Sequence, residues 1–384
     1  MSCQRRVLIV MRGDSLFGGG AERRFWRLFT HLRKSGHDVH LLINRSLLES
    51  LQKIDLGAHV SQRSLEGIHV YEDNSKPGGK IVKILGFNLF AIQTIRALRP
   101  SVVHLVLIQR SLIPLYMWLL IQRSVRVVHT MAMSLFAYPA RVPLSTALCA
   151  KLIWQRADVI DSLYPSFAHN YGRRYQNKIV VTPCSFTNTE EFKPADQKKN
   201  MIVFAGRFIE EKNPLLLVKA LTILRSLDAD ALSGWEIVFL GEGPLGKELW
   251  RQIIQNDLAN VVRVERANCI SSYLREARVF VSLQRTENYP SQALLEAMSA
   301  GCAVIATDVG ETRRLVDERT GLLVENDNPI ALANALRELM NDPQRCQCLG
   351  QAARARVLAE HSLARFADYM CSLWKETYGK NGKI

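Results

Sequence analysis

The sequence predicts an α/β protein made of two Rossmann-like domains, and two observations support that fold class. Short apolar runs alternate with amphipathic stretches of helical period along most of the 384 residues, which is typical of parallel strands joined by helices. The order of strand, glycine-rich turn and helix begins near residue 7 and starts again after residue 200. Two separate sheets therefore fit the pattern better than one continuous sheet.

In the first half, Val7–Met11 is the first predicted strand, and a glycine loop and a helix near Ala21–Lys34 follow it. Further strands are predicted at Val39–Ile43, Val102–Leu107, Val125–Thr130 and Ile179–Thr182. The polar stretch Lys193–Asn200 is typical of an interdomain linker. We therefore expect a first domain over residues 1–195.

The second half shows the same alternation. Strands are predicted at Met201–Ala205, Glu236–Leu240, Val261–Val264, Val279–Leu283, Ala303–Ala306 and Leu322–Val324, with helices at Leu215–Ser226 and Leu245–Gln255. The tail from Pro329 to Tyr378 reads as three helices. We expect a second domain over residues 196–360 and a C-terminal helix, within 361–384, that packs back on the first domain.

The positive charge is concentrated in the first half. Residues 1–200 contain 28 Lys and Arg against 13 Asp and Glu, whereas the remainder contains 22 against 23. Such an asymmetry favours an anionic partner, namely nucleic acid, anionic lipid or a phosphate-bearing acceptor, and a basic soluble surface is the alternative. No nucleic-acid-reading motif accompanies the charge, so we expect no nucleic-acid partner.

The first predicted helix could carry part of that surface. Arg23, Arg27 and Lys34 share a helical face, which would suit an anionic membrane. Phe25, Trp26 and Phe29 lie beside them, either as an apolar patch on that surface or as core side chains; we favour the core.

Composition also limits compartment and metal chemistry. The eight cysteines form no CxxC pair, which indicates reduced thiols rather than disulfides or a zinc site. Val7–Met11 is too short for a signal peptide, and Leu105–Ile121 is interrupted by Arg110 and Pro114, which favours a buried strand and helix. Asp228 and Asp230 form the one Asp-x-Asp and read as a polar turn. We expect a cytoplasmic protein.

The strongest chemical signal follows Met201–Ala205. Gly206 and Arg207 come directly after that strand and Lys212 five residues later, so both cations should lie at the carboxyl edge of the sheet, where doubly wound folds bind ligands. An arginine fork and a lysine point charge suit a leaving diphosphate.

A second signal follows Val279–Leu283. The turn Tyr289–Ser291 should place Ser291 at the start of a helix that ends before Gly301. The free amides near Ser291 and Gln292 would form a phosphate site. Glu296, one turn further along, could accept hydrogen bonds from a ribose diol, although most helical glutamates are only solvated.

These segments resemble one enzyme family. GRFIEEKNP, FLGEGPL and ENYPSQALLEAMSAGCAVIATDVG, in that order, are similar to the donor domain of the family 4 retaining glycosyltransferases, also called group 1. GGGAER and TPCSFTNTEEFKP resemble the family as well. The resemblance implies the GT-B fold, in which two Rossmann-like domains face each other across a cleft.

The resemblance also implies roles for residues of this chain. Arg207, Lys212 and Glu287 would be catalytic, the two cations by stabilising the leaving diphosphate in place of a metal ion. No cofactor and no metal is expected. Donor-binding residues would be Gly19, Gly20, Gly206, Arg207, Lys212, Gly243, Arg266, Asn288, Tyr289, Ser291, Gln292 and Glu296.

Two positions depart from the family pattern. The family typically has two glutamates with seven residues between them; counted back from Glu296, the first would fall on Asn288, and Glu287 lies one residue earlier. We favour Glu287, with Asn288 as the alternative. A family histidine would fall at Ala132, and His129 reads as a strand-end histidine whose ring is satisfied by neighbouring groups rather than as its substitute.

The implied activity is retaining transfer of a sugar from a UDP- or GDP-sugar to a glycan acceptor, lipid-linked or phosphorylated, in surface polysaccharide or lipopolysaccharide synthesis. Its partners would be the nucleotide-sugar, that acceptor and the cytosolic face of an anionic membrane. The alternative is a catalytically degenerate protein that binds nucleotide-sugar or glycan, because of the two departures above.

Overall fold

The computed structural model describes residues 5–13, 20–54, 66–73, 79–131, 142–175, 177–183, 185–266, 269–287, 289 and 291–379. The chain forms two compact units: unit 1 comprises Met1–Pro183 and Leu363–Ile384, and unit 2 comprises Cys184–Ser362. In the described residues each unit contains one parallel sheet.

The sheet of unit 1 has the order β3-β2-β1-β4-β5-β6-β7 among the described strands. These are β1 Val7–Val10, β2 Val39–Asn44, β3 Ile68–Tyr71, β4 Val102–Leu105, β5 Arg126–Met131, β6 Val159–Ser162 and β7 Ile179–Val181. The helices are α1 Gly20–Lys34, α2 Arg45–Ile54, α3 Lys80–Leu98, α4 Ile113–Ile121, α5 Leu144–Arg156 and α6 Pro165–Tyr175. All of β1 is buried, because helices cover parallel sheets on both faces.

The sheet of unit 2 has the order β10-β9-β8-β11-β12-β13. Its strands are β8 Lys199–Ala205, β9 Glu236–Leu240, β10 Val262–Glu265, β11 Ala277–Ser282, β12 Ala303–Thr307 and β13 Gly321–Val324. Its helices are α7 Pro214–Leu227, α8 Gly246–Gln255, α9 Ser271–Glu276, α10 Gln292–Ser299, α11 Pro329–Asn341 and α12 Pro343–Glu360. Each strand predicted in this half is present, with ends that differ by at most two residues.

The last helix, α13 (Leu363–Gly379), belongs to unit 1. Trp374 Nε1 donates to His104 Nδ1 over 2.9 Å, and the Tyr369 hydroxyl donates to Asp161 Oδ1 over 2.5 Å. Asp161 is buried and also accepts hydrogen bonds from Thr130 and Thr182. Burial raises the pKa of Asp161, and these hydroxyl donors oppose the rise. A buried polar network therefore ties α13 to the middle of the first sheet.

The boundary between the units lies at Pro183/Cys184 rather than at 195/196, and Lys193–Asn200 is not a linker. Phe192 is buried in the core of unit 2, and its carbonyl oxygen accepts a hydrogen bond from Ser299 Oγ over 3.0 Å. The amide of Ala195 donates to the Arg275 carbonyl over 2.9 Å. The polar composition misled the prediction because one aromatic ring and the backbone hydrogen bonds fix this segment.

The aromatic side chains of α1 are core residues. Phe25, Trp26 and Phe29 are at most 1% exposed, and Phe25 packs edge-on against His104 with ring centroids 4.9 Å apart. The alternative that they form an apolar membrane patch is therefore wrong, whereas Arg23 on the same helix is exposed.

One described helix, α3, is long and apolar enough to cross a membrane by length and composition. No helix was predicted over these residues from the sequence. Its inner face is part of the fold, because Phe87 and Ala91 are buried in the core of unit 1 and Asn88 Nδ2 donates to the Ser111 carbonyl over 2.8 Å. The stretch predicted as a strand and a helix, Leu105–Ile121, holds the end of β4 and α4.

Candidate active site

The candidate site lies at the carboxyl edge of the second sheet. β8 lies in the middle of that sheet, between β9 and β11. The strands that follow β8 are added first on one side of it, as β9 and β10, and then on the other side from β11 onward. Ligands of open α/β sheets bind outside the carboxyl ends of the strands where the strand order reverses in this way. The predicted donor-binding residues of unit 2 follow the ends of β8, β9, β10 and β11.

The turn after β8 carries the two predicted cations. Gly206 lies against the Lys212 side chain, whose Cγ is 3.9 Å from the position that a Cβ at residue 206 would occupy. Arg207 is exposed. Lys212 ends a short 3-10 turn, Glu210–Lys212, and its amide donates to the Ile209 carbonyl over 3.1 Å. Desolvation lowers the pKa of Lys212 to about 8. A partly desolvated ammonium and an exposed guanidinium on one turn are suited to binding an anion.

A second turn, after β9, packs on the first. Gly241 and Gly243 have φ of +152° and +158°. A methyl group at Gly241 would lie 2.0 Å from the Gly206 carbonyl oxygen, and one at Gly243 would lie 2.5 Å from the Phe208 carbonyl oxygen. The Phe208 amide also donates to the Glu242 carbonyl over 2.9 Å. The two turns therefore form one rigid backbone surface that has room only for glycine.

An ion-pair network, which we call the Arg285 clamp, fixes the loops around Lys212. It consists of Arg285, Glu210, Asp327 and Asn213. Arg285 pairs with Glu210 and, over 2.9 Å, with Asp327, and Asn213 Nδ2 donates to Asp327 over 2.7 Å. The Arg285 amide donates to the carbonyl of Glu211, the residue before Lys212, over 2.9 Å. The clamp joins the loop after β11 to the turn that carries Lys212.

Arg285→Met should loosen this turn with little effect on the fold. Because the clamp is substantially exposed, we expect the free energy of unfolding to fall by about 1 kcal/mol or less, while the Kd for a nucleoside diphosphate rises several-fold. Chemical denaturation and calorimetric titration measure the two effects. Lys199→Met, which breaks the exposed pair with Glu276 at the start of β8, is the control; an equal rise in its Kd would contradict this role of the clamp.

The first turn of α10, the helix that follows β11, is the second part of the candidate site. Ser291 occupies the N-cap position, as predicted, but its side chain makes no capping hydrogen bond to the helix. Gln292 Nε2 donates to Glu296 Oε1 over 3.1 Å and to the Phe186 carbonyl over 3.4 Å. The helix therefore offers backbone amides at its start, and Gln292 orients the half-buried Glu296 carboxylate.

Glu287 precedes this helix and is 5% exposed. It packs against Gly310, which has a φ of +51°; a methyl group at Gly310 would lie 2.6 Å from Glu287 Cγ. Tyr289 is also buried, and the Arg314 guanidinium lies 4.7 Å from its ring centroid. The loops after β11 and β12 thus hold the Glu287 side chain in place and leave a small part of its surface exposed.

The remaining predicted residues lie at different places, and some fall outside the described residues. Arg266 follows β10 and pairs with Glu242 over 3.2 Å at an exposed position, and Gly20 is the first residue of α1 in unit 1. Gly19, Asn288 and Ala132 lie outside the described residues, so the choice between Glu287 and Asn288 stays open.

The Asp228–Asp230 pair forms an exposed turn at the end of α7. The Asp230 amide donates to Asp228 Oδ1 over 3.0 Å, as expected for a polar turn. Among the residues that the structure describes, no three His, Cys, Asp or Glu side chains lie close enough together to hold a metal ion.

His129 is buried inside β5 rather than at a strand end. Its exposure is 0%, and burial lowers its pKa to about 3, so the ring is neutral. Neither ring nitrogen has a hydrogen-bond partner in the described part of the chain, so the expectation that neighbouring groups satisfy it was wrong. Complete burial is inconsistent with contact to a substrate.

Two family models match the chain. Residues 185–356 match "Glycosyl transferases group 1" and residues 19–184 match "Glycosyl transferase 4-like domain". In structure, the chain is similar to Anabaena HepE, solved in complex with UDP and glucose, with a TM-score of 0.75 at 16% identity over 97% of this chain and all of that one. This likeness concerns the fold, and it agrees with the predicted GT-B class.

Two curated relatives match part of the chain. A Campylobacter jejuni α-1,4-N-acetyl-D-galactosaminyltransferase, named for a diphospho-undecaprenol-linked saccharide, is 26% identical over 43% of this chain and 45% of its own length. D-inositol 3-phosphate glycosyltransferase from Paenarthrobacter aurescens is 36% identical over 45% of this chain and 43% of its own. The chain thus spans less than half the length of either relative.

The two family models adjoin each other and together cover residues 19–356. The three segments that resemble the family donor domain lie after residue 200 and contribute to the carboxyl edge described above. This protein belongs to the group 1 glycosyltransferases.

Proposed function

We propose that the protein transfers a sugar, with retention of anomeric configuration, from a UDP- or GDP-sugar to a glycan acceptor that carries a phosphate or a lipid diphosphate. One observation carries the proposal: the carboxyl edge of the second sheet presents Arg207, the desolvated Lys212 and the amide end of α10. Cations and helix amides are the groups that bind a diphosphate.

The donor would occupy this edge with its diphosphate at Arg207 and Lys212. Glu296, held by Gln292, would accept hydrogen bonds from the two ribose hydroxyls. The backbone surface of Gly241 and Gly243 would lie against the donor, with Arg266 beyond it. A UDP complex of Anabaena HepE, which shares the fold, supports a nucleotide diphosphate as the ligand.

Transfer would follow front-side attack. The bond between the anomeric carbon and the diphosphate oxygen breaks with both electrons on that oxygen, and the acceptor oxygen bonds to the carbon from the same face. The acceptor proton passes to the departing diphosphate. Lys212 and Arg207 would stabilise the charge that develops on the leaving group, without a metal ion, and Glu287 would orient the sugar.

The acceptor class rests on the relatives and on charge. The two curated relatives are named for a diphospho-undecaprenol-linked saccharide and for inositol 3-phosphate, which both carry phosphate. The first 200 residues of this chain carry the excess of cations, so we assign acceptor binding to unit 1. A lipid-linked acceptor would locate the enzyme at the cytosolic face of a membrane in surface polysaccharide or lipopolysaccharide synthesis.

Turnover on donor panels tests this function. The protein is incubated with UDP- and GDP-sugars and a lipid-linked oligosaccharide extract, nucleotide release is followed, and the anomeric configuration of the product is read by NMR. Release of one nucleotide and a product that keeps the donor configuration are expected. An inverted product would contradict retention, and nucleotide binding without turnover on any acceptor would favour the degenerate alternative.

Glu296→Ala tests the ribose contact. Hydrogen bonds to a charged group contribute about 1.5–3 kcal/mol each, so the Kd for the cognate nucleoside diphosphate should rise at least tenfold in calorimetric titration. The 2′,3′-dideoxy nucleotide should bind wild type and variant equally. Glu360→Ala, at the end of α12, is the control. If the dideoxy nucleotide loses as much affinity as the natural one, Glu296 does not bind the ribose.

A further inference from the structure

We propose that the outward faces of α3, α4 and α5 form a surface that binds an anionic lipid bilayer. We call it the docking face. Its apolar part comprises the exposed side chains Ile81, Val82, Leu85, Leu89, Ile113, Met117, Ile121, Leu144 and Leu148. The proposal rests on the proposed function in that it names the membrane at which the enzyme would act. All residues of the docking face belong to unit 1.

The apolar side chains follow the helical repeat. Val82, Leu85 and Leu89 lie at spacings of three and four on α3, and Ile113, Met117 and Ile121 recur every four residues on α4. Leu144 and Leu148 share the same spacing on α5. Residues at these spacings share one face of a helix. Each helix therefore presents a continuous apolar stripe to the solvent.

The three helices lie side by side, with α4 packed against both α3 and α5. The Asn88 side chain of α3 accepts a hydrogen bond from the Leu115 amide of α4 over 3.0 Å. Arg110, just before α4, donates to Ser145 Oγ at the start of α5 over 3.3 Å. The stripes consequently form one patch instead of three isolated ones, and a patch of this kind marks an interaction surface.

The exposure is large. Ile81 is 73% exposed, Ile121 73% and Leu144 77%. The opposite faces of the same helices carry buried residues such as Phe87, Leu115 and Ile153 in the core of unit 1. The outward apolar side chains are therefore additional to those that the fold of this unit requires.

Charge decides which partner fits. Between Asp73 and Asp158 the sequence contains eleven Lys and Arg and no Asp or Glu. Lys80, Arg96, Arg99, Arg110, Arg123 and Lys151 are exposed on or beside the three helices, and within the described residues none of them forms an ion pair. Apolar stripes flanked by cations that form no ion pair with described carboxylates complement acyl chains beneath anionic headgroups.

The geometry favours a surface contact over a spanning helix. A spanning α3 would have to leave the core, where Ile95 and Ala91 are buried and Asn88 makes three hydrogen bonds. A helix that keeps its inner face on the protein can immerse only its outer stripe, as interfacial helices do.

Vesicle co-sedimentation tests the docking face with the full chain and without donor or acceptor. Vesicles of phosphatidylcholine with 30–40% phosphatidylglycerol, roughly the charge at which basic surfaces bind well, are compared with phosphatidylcholine alone. We expect binding to the anionic vesicles, at least tenfold weaker binding to the neutral ones, and release by alkaline carbonate. Equal binding to both, or resistance to carbonate, would overturn the proposal.

Two variants and a matched control locate the surface. Leu85→Gln with Leu89→Gln should weaken binding to anionic vesicles at least tenfold, and Arg123→Gln with Lys151→Gln should weaken it by roughly 30-fold at low salt. Leu227→Gln with Ile254→Gln removes two aliphatic side chains of unit 2 that are 64% and 56% exposed and should leave binding unchanged.

The outcomes are separable from those of the turnover assay, because vesicle binding needs no sugar donor. If the control loses as much binding as the first pair, or if light scattering shows that Leu85→Gln with Leu89→Gln converts a dimer to a monomer, the docking face is not a membrane surface. Only variants whose Tm matches that of the wild type are compared. The dependence of wild-type binding on anionic lipid and on salt tests the role of charge without any variant.

Discussion

Lys212→Met should reduce kcat by about 10²–10³-fold, the loss found when one group that stabilises developing charge is removed from an active site. The Lys212 ammonium lies beside the Gly206 turn, where we place the leaving diphosphate. The same substitution should leave the protein as stable as wild type or slightly more stable. Burial has lowered the pKa of Lys212 to about 8, so at neutral pH the charged form costs folding free energy, which methionine removes.

Steady-state kinetics and thermal unfolding measure the two effects. Lys219→Met, at an exposed position on α7, should change neither. The pH dependence adds a signature: diphosphate binding requires the protonated amine, so wild-type affinity for the nucleotide should fall as the pH rises through about 8. A Lys212→Met variant that keeps its kcat, or loses kcat only with its fold, would contradict the assigned role.

Gly241→Ala should produce the largest loss of stability in unit 2. Its methyl group would lie 2.0 Å from the Gly206 carbonyl oxygen, at a φ of +152°. No flexible side chain can move to relieve this contact, because both partners are backbone. We expect a loss of roughly 3 kcal/mol or more, the range of severe single substitutions, which corresponds to a fall in Tm of about 10 °C.

Gly234→Ala separates the collision from the backbone conformation. Gly234 has a φ of +74° and no heavy atom within 4 Å of the position of a Cβ, so alanine there should cost only about 1 kcal/mol of backbone strain. Calorimetry compares the two variants. Equal losses of Tm would mean that close packing of the two turns does not decide the requirement for glycine at 241.

The strands of unit 2 could be predicted because parallel strands buried on both faces are continuous apolar runs. Segments whose position depends on one side chain could not. Phe192 draws a polar stretch into unit 2, and composition gives no sign of that. The α3 helix was missed because it is apolar on both its inner and outer faces, so it lacks the alternation that marks a surface helix.

In the candidate site too, some residues could be predicted from the sequence and others could not. Lys212 and Glu296 could be identified because each lies in a segment that resembles the donor domain of the family 4 glycosyltransferases. The Arg285 clamp joins Arg285 to Glu210 and Asp327, which lie far apart in the sequence, and the contact of Gly310 with Glu287 joins two loops. Such contacts follow from the order of strands in the sheet. The turn signal in Asp308–Gly310, after an apolar run, was the available hint for Gly310.

Calorimetric titration of UDP and GDP, each compared with its own nucleoside at pH 7, shows whether the end of β8 binds a diphosphate. We expect one diphosphate to bind at least tenfold more tightly than its nucleoside. Arg207→Met with Lys212→Met should remove most of this difference while nucleoside binding is unchanged. Equal affinity for diphosphate and nucleoside in the wild type, or no binding of either nucleotide at millimolar concentration, would contradict a diphosphate site at the end of β8.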